Sequence, residues 1–237
     1  MHQTMRELKA NSRGYLVGKY KVCIRAMIDI FLLSAISKLL VALLFPGDSV
    51  FEFIGTEVAL FVISCFIGLL QIGMSYMYLK ISCGQEPKVS DIFHCFQEGR
   101  NEAMVLSLII ALISFVCLFP YNLISFFPAQ FAEVGSLTHI LIEFIGIVVY
   151  MLLSLPISQS AYVLFDFPGC TCKDAIKRSM KLMKGNYFRL IGYVLSFLPL
   201  VLLCICSLGI GLIWVSPYMD ASLAAFYLDI AKTSDRE

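Results

Sequence analysis

Cysteine and histidine are the residue types in this sequence that could bind a metal. Nine cysteines and three histidines are present. Five of these residues fall in segments that we assign below to one membrane face, and their side chains are of the types that bind zinc: Cys83, His94, Cys95, Cys170 and Cys172. Their spacing matches no paired C-x-x-C pattern. The sequence therefore favours free, reduced cysteines without a disulfide, a metal or another cofactor.

The sequence contains no recognisable catalytic motif. We find no G-x-S-x-G, H-E-x-x-H, P-loop or G-x-G-x-x-G pattern. The histidines His2, His94 and His139 are far apart, and no polar stretch is long enough to house a catalytic domain. The basic residues border apolar stretches and have no nucleic-acid-binding fold behind them. We therefore expect a non-enzymatic protein that binds no nucleic acid.

Charged residues inside the long apolar stretches include Arg25, Asp29, Lys38, Glu143 and Asp220. A charge at the centre of a membrane helix costs at least about 2.5–3.5 kcal/mol, so these residues should face the bundle interior and pair. Arg25 and Asp29 are four residues apart and can pair locally. Lys38 and Glu143 should lie about 10 Å and 9 Å from the outer ends of their helices. We therefore predict a Lys38–Glu143 pair, with the deeper Asp220 as the alternative partner of Lys38. Such a pair either fixes helix packing or marks a polar path or ligand site.

Long apolar runs must position these residues. Hydrophobic residues make up 59% of the 237 residues and charged residues 15%, whereas soluble domains carry roughly 45–50% and 25%. The runs are continuous and long enough to cross a bilayer as helices. We predict one all-α transmembrane domain over residues 1–237, with about six spans near 22–45, 58–79, 103–119, 137–165, 188–206 and 210–230. Pro156 interrupts the fourth span, and Pro217 makes the sixth the least regular.

Lysine and arginine set the expected orientation. Segments 1–21, 80–103, 166–189 and 231–237 hold 16 of the 18 basic residues. The connections between them, 46–57, 120–136 and 207–209, hold none and carry acidic residues instead: Asp48, Glu52, Glu57 and Glu133. Because cytoplasmic loops retain positive charge, we predict that the N-terminus is cytoplasmic. The C-terminus is cytoplasmic as well if the sixth stretch spans the membrane, which the basic residues Lys232 and Arg236 of the tail favour.

A weak internal repeat divides the chain into three parts. The pattern Ser12-x5-Gly18-x-Tyr20 is repeated in residues 179–187, and Gly99 marks a degenerate middle copy. We predict three helical hairpins, each preceded by a short interfacial amphipathic helix, near 4–16, 90–98 and 171–186. Chance similarity among membrane helices is the alternative explanation.

The third of these short helices is the most distinctive. Thr171 followed by Asp174 resembles a capping box. At 100° per residue, one side of the helix is mostly apolar and the other is basic: Lys173, Lys177, Arg178, Lys181 and Lys184. Such helices lie in the membrane interface and attract anionic lipid headgroups. We therefore predict lipid-headgroup contact by the basic side chains, and the alternative is that they only set the topology.

Several stretches of the chain resemble a known family. They are LKANSRGYLVGKY near the start, LQIGMSYMYLKISCGQEPKVSDIF, DAIKRSMKLMKGNYFRLIGYVLSF, LGIGLIWVSPYM and the final AAFYLDI. Together they resemble the bacterial domain of unknown function number nine hundred and seventy-five, over nearly the whole chain. The resemblance implies a multi-pass helical membrane protein, mostly from Gram-positive bacteria, and hence a location in the bacterial cytoplasmic membrane. It also implies a distant similarity to the membrane domains of some glycerophosphodiester phosphodiesterases, without catalytic residues.

Three functions remain open from the sequence. The first is a non-enzymatic membrane protein that acts through lipid contact or a membrane protein partner. The second is a small transporter or transporter subunit with a polar site inside the bundle. The third is an intramembrane enzyme that acts on a lipid substrate.

Overall fold

The computed structural model of the protein describes residues 3–46, 49–97, 101–126 and 136–234. Every regular element in those ranges is helical, which confirms the all-α prediction. The α-helices are α1 (Met5–Leu16), α2 (Tyr20–Leu44), α3 (Val50–Ser82), α4 (Asn101–Phe126), α5 (Ser136–Ser154), α6 (Ser160–Asp166), α7 (Cys172–Met183), α8 (Tyr187–Leu195), α9 (Leu198–Cys206) and α10 (Leu212–Ser234). Short 3₁₀ helices cover Val89–Phe96 and Leu155–Ile157.

Five helical stretches of the described chain are long and apolar enough to cross a membrane. They are α2, α3, α4, the combined stretch Leu137–Asp166 and the combined stretch Tyr187–Cys206. This is consistent with a helical membrane bundle, and a long apolar helical stretch lies at five of the six predicted spans. Helix α10 covers most of the sixth predicted span, but it is not among the five. It contains Asp220 and Asp229, and much of its length is buried by neighbouring helices. Its crossing of the membrane stays a prediction.

Two predicted connections are shorter than expected because the neighbouring helices extend into them. Helix α3 begins at Val50, so Glu52 and Glu57 lie in its first turns. The Glu52 backbone N–H donates to the Ser49 hydroxyl at 3.2 Å, which caps the helix. Glu57 is buried and accepts a hydrogen bond from Asn122 Nδ2 at 3.3 Å, so its polar group has a partner inside the bundle. Asp48 and Glu133 lie outside the described residues.

Two spans are broken part-way along. The predicted interruption at Pro156 is confirmed: α5 ends at Ser154 and α6 begins at Ser160. Proline lacks a backbone N–H and clashes with the preceding turn, so the α-helical hydrogen bonds stop there. The span Tyr187–Cys206 is also divided, between α8 and α9, next to Pro199. Pro217 does not break α10, which continues through it.

The short helices lie at one end of the bundle. Consecutive spans run antiparallel, and α1, the Val89–Phe96 helix and α7 all lie at the end opposite the α2–α3 connection. The Val89–Phe96 helix packs on α3, and α7 packs on α6. Helix α1 packs in the corresponding way on α10, the last helix of the chain. The N-terminal helix therefore covers the final hairpin as the other two short helices cover the hairpins before them.

Helices α1 and α7 share their local structure at a constant offset of 167 residues. Thr4 and Thr171 are the N-caps, and each accepts from the backbone N–H three residues later. Three buried positions correspond: Leu8, Ser12 and Leu16 in α1, and Ala175, Ser179 and Met183 in α7. Cys172 of α7 is also buried, whereas its counterpart Met5 is exposed. Gly18 and Gly185 follow with positive φ angles of 78° and 89°. The short helices of the first and third predicted copies thus share their local structure, whereas Gly99 lies outside the described residues.

The cap of α1 is a complete capping box. The Thr4 backbone N–H donates to Glu7 Oε2 at 2.8 Å, and the Glu7 backbone N–H donates to the Thr4 hydroxyl oxygen at 3.3 Å. Hydrogen bonds from Thr4 hold the pKa of the Glu7 carboxyl below its usual value. In α7 the Thr171 hydroxyl donates to Asp174 Oδ2 at 2.7 Å, so the cap predicted from Thr171 and Asp174 is present.

The left-handed glycines should be hard to replace. Changing Gly18 or Gly185 to alanine should lower the free energy of unfolding by about 1–2 kcal/mol, because a Cβ in this conformation approaches the following carbonyl oxygen. The cost does not come from a steric clash with a neighbouring residue, since no heavy atom of another described residue lies within 4 Å of the point that the alanine Cβ would occupy.

Gly14→Ala is the matched control: Gly14 is helical and equally open, so that variant should be neutral or slightly stabilised. Unfolding in mixed micelles, followed by circular dichroism, measures all three. Equal stabilities for the three variants would contradict the account.

Candidate functional site

A large cavity lies between the helices of the bundle. Its volume is about 830 Å³, within the roughly 300–1,000 Å³ of typical small-molecule sites. The walls come from α2, α3, α5, α6, α8 and α10, together with the Leu155–Ile157 turn between α5 and α6. Both broken spans contribute, since α5 and α6 belong to one and α8 to the other. Most of the lining is apolar, which is typical of a site for a molecule with a hydrocarbon part.

Asp220 is the only acidic or basic side chain that lines this cavity among the residues that the structure describes. It lies on α10, three residues after Pro217, and is half-buried. Tyr78, Tyr162 and Cys23 lie within range of an electrostatic interaction with Asp220. Asp220 forms no ion pair with any other described residue. The described cavity lining therefore holds one acidic group and no basic group.

Gln159 forms a polar part of the lining next to the break in the fourth span. It is 1% exposed, and its Nε2 donates to the Ser158 hydroxyl at 3.0 Å. Its side-chain oxygen has no hydrogen-bond partner among the described residues. A buried amide oxygen without a partner is costly. The oxygen is enclosed by protein atoms and does not face the open space of the cavity.

Helix α7 holds this broken segment in place. The Ser179 hydroxyl donates to the Pro156 carbonyl at 2.6 Å and accepts from the Gln159 backbone N–H at 3.2 Å. These bonds satisfy backbone groups that the interrupted helix leaves open. The short helix with the basic face is therefore directly attached to the cavity wall.

The cavity reaches the outer surface of the spans. Phe31, Met151 and Leu195 belong to its lining and are 69%, 55% and 57% exposed. They lie on α2, α5 and α8, on faces that the bundle leaves uncovered. In a membrane such faces contact hydrocarbon, so the cavity has a lateral border with the bilayer.

The predicted charge pairs are only partly found. Arg25 Nε lies 4.0 Å from Asp29 Oδ2, so the local pair is present, with both side chains exposed. Lys38 is exposed and Glu143 is half-buried. Neither takes part in an ion pair within the described ranges. Equal depth is not enough for contact, because α5 packs against α4 and the direction of each side chain depends on rotation about its helix axis.

The five basic residues that we singled out, four in α7 and Lys184 directly after it, all point away from the bundle. Lys173, Lys177, Arg178, Lys181 and Lys184 are exposed, and none forms an ion pair with a described residue. The Arg178 guanidinium lies 4.3 Å from the centre of the Phe167 ring. On the opposite face the Cys172 backbone N–H donates to Glu102 Oε2. Burial and the nearby Glu102 carboxylate raise the pKa of the Cys172 thiol, which favours its protonated form.

The cysteines and histidines do not form a metal-binding cluster in the described parts of the chain. No three His, Cys, Asp or Glu residues there are placed to hold an ion. Cys83 is exposed, whereas Cys95 and Cys172 are buried. His94 stacks on Tyr76 with ring centres 4.0 Å apart, so that residue has a packing role.

A buried ionic cluster joins both ends of the chain and was missed by the sequence analysis. Arg189 Nη2 donates to Asp229 Oδ2 at 2.6 Å and to the Gln3 carbonyl at 2.8 Å. The Gln3 backbone N–H donates to Asp229 Oδ1 at 3.0 Å. The cluster ties the start of α1 to α8 and α10, two walls of the cavity. The available signal was that Arg189 and Asp229 each lie inside an apolar run.

The helices and the cavity define a multi-pass helical membrane protein with an internal site. A family model described as "Protein of unknown function (DUF975)" matches residues 1–234, so the chain belongs to this family. No curated protein and no solved structure matches the chain.

The Arg189–Asp229 pair should contribute strongly to stability. Its side chains are 17% and 6% exposed, and removing one partner of a buried pair costs about 3–5 kcal/mol. Asp229→Ala should therefore lower the free energy of unfolding by about that amount, and adding Arg189→Met should recover part of the loss. Unfolding in mixed micelles provides the measurement.

The exposed Arg25–Asp29 pair serves as the control for this experiment. Asp29→Ala should cost only about 0–1 kcal/mol, as exposed ion pairs do. If Asp229→Ala is as mild as Asp29→Ala, the cluster does not hold the two ends of the chain together.

Proposed function

We propose that this protein is a non-enzymatic membrane protein that binds an amphiphilic molecule from the bilayer in the cavity beside Asp220. The cavity itself is the main support. Its walls are mostly apolar, its polar groups include Asp220 and Gln159, and it borders the surface of the spans at Phe31 and Met151. An amphiphile has the matching division into a polar head and a hydrocarbon part.

The proposed location is the cytoplasmic membrane of a bacterium, with both chain ends and the three short helices on the cytoplasmic side. Helix α7 would then lie as an amphipathic helix in the interface, with its basic face on anionic lipid headgroups. The exposed lysines and the buried opposite face of α7 support this placement. Through Ser179, headgroup contact by α7 would act directly on the wall of the cavity.

A transporter that moves such an amphiphile is the second candidate. The specific support is that two broken spans, α5–α6 and α8–α9, both contribute to the walls around the Asp220 carboxylate. Discontinuous helices at the substrate site are common in secondary transporters. Solute flux into liposomes above the leak of empty vesicles would favour transport over simple binding.

Filling the cavity should remove the bound amphiphile. Ser34 lines the cavity on α2, and Ser34→Phe would place a ring in the space that the ligand needs. Native mass spectrometry of protein extracted from its own membrane should show a bound small amphiphile on the wild-type protein and a large loss of it in this variant.

Ser37→Phe is the matched control, since Ser37 lies on the same helix and does not line the cavity. It should retain the adduct. If the wild-type protein carries no adduct, or if both variants retain it equally, the cavity is not the binding site.

Neutralising the basic face of α7 should weaken its contact with anionic lipid. Each basic residue near an anionic surface contributes about 1 kcal/mol, so changing Lys173, Lys177, Lys181 and Lys184 to glutamine should remove most of the preference for such lipid. Spin-labelled phosphatidylglycerol and phosphatidylcholine, compared in reconstituted vesicles, measure that preference.

Orientation must be checked in the same samples, because the lysines also act as topology signals. Cys83 and Cys206 are both exposed and should lie on opposite membrane faces. An impermeant maleimide applied to single-cysteine versions therefore reports the orientation. An unchanged lipid preference with a reversed orientation would mean that the lysines set topology only.

A further inference from the structure

We propose that the cavity selects a long-chain amine, a single-chain cationic amphiphile whose ammonium group lies at Asp220. This inference rests on the proposed function and adds the chemical class of the ligand. The inference starts from the charged groups of the cavity lining. Among the described residues that line the cavity, Asp220 is the only acidic or basic one.

An uncompensated carboxylate within a helical membrane bundle favours a cationic partner. Removing a carboxylate from water without a counter-ion is costly, and no described cation pairs with Asp220. A bound ammonium group would supply the missing charge. A fatty acid or a phosphate-bearing headgroup would instead add negative charge to a cavity whose described lining has no basic residue to receive it.

The polar groups of the lining fit an ammonium group better than a metal ion. An alkylammonium has three N–H donors. The Asp220 carboxylate is an acceptor in the lining, and Gln71 and Ser216 are further polar residues of the lining. Tyr78 and Tyr162 also line the cavity. A divalent metal would need several carboxylate, imidazole or thiolate ligands.

The rest of the lining accommodates the hydrocarbon chain. Ile30, Ile67 and Met74 line the cavity from α2 and α3, and the exposed Phe31 and Met151 mark its border with the bilayer. An amine at Asp220 can therefore keep its chain on apolar surface throughout. A short hydrophilic amine would leave this surface uncovered.

Photo-crosslinking of three matched probes tests the proposal. The full-length protein is reconstituted in neutral phosphatidylcholine vesicles and exposed to an amine, an alcohol and a carboxylic acid with the same diazirine-bearing chain. Mass spectrometry maps the labelled peptides, and labelling at the exposed Leu203 of α9 corrects for partition into the bilayer. In the wild-type protein the amine should label the cavity lining about tenfold more than the alcohol.

Two variants connect this labelling to the carboxylate. Asp220→Asn keeps the shape and removes the charge, and it should abolish the advantage of the amine. Asp29→Asn changes another acid within a span, outside the cavity lining, and should leave the labelling unchanged. If Asp220→Asn does not fold, competition in the wild-type protein decides: unlabelled amine should displace the amine probe, and unlabelled alcohol should not.

The outcomes separate the two levels of the account. The selection of amines is overturned if the amine and alcohol probes label the cavity equally and Asp220→Asn changes nothing. It is also overturned if the unlabelled amine and the unlabelled alcohol compete equally well. In both cases the binding of amphiphiles in general is not contradicted. If none of the three probes labels the cavity more strongly than it labels Leu203, the proposed function is overturned as well.

Discussion

Close packing around α10 is the constraint on which the rest of the structure depends. Ala221, Ala224 and Ala225 are buried, and these small side chains allow neighbouring helices to approach the α10 backbone closely. Helix α10 packs against α1, α2, α3 and α9. Its position brings Asp229 to Arg189 and turns Asp220 into the cavity. The same helix thus carries both the buried ion pair and a carboxylate that no described cation neutralises.

The charges within the apolar helices have three different environments, and these separate stability from function. Asp229 has a buried guanidinium partner, and the pair holds the ends of the chain together. Asp29 and Arg25 are exposed and pair on one helix surface. Asp220 faces a cavity of about 830 Å³ without a counter-charge from the described part of the chain. A protein that tolerates the cost of such a carboxylate is expected to use it.

Sequence patterns predicted those features that depend on neighbouring residues. Thr171 with Asp174 located the start of α7, and Pro156 located a break, because capping and loss of a backbone donor are local effects. The acids Glu52 and Glu57 were assigned to a connection, although Asn122 and the Ser49 cap accommodate them in or beside helices. The cavity, the Gln159 oxygen and the Arg189–Asp229 pair depend on which helices meet and how each is rotated. Depth along a helix, used for Lys38 and Glu143, carries no information about rotation.

The central claim is that the cavity is open to the bilayer and takes a hydrocarbon chain from it. Quenching of a tryptophan in its wall by phospholipids brominated in their acyl chains tests this most directly. Met74 lines the cavity, and Trp214 is the single native tryptophan, so Met74→Trp in a Trp214→Phe background reports on the cavity alone. Leu203→Trp, at an exposed position, gives the reference for full lipid contact. The account predicts that brominated acyl chains quench the tryptophan at position 74 to an extent comparable with that at position 203. If brominated chains leave the emission at position 74 unchanged, the account is contradicted.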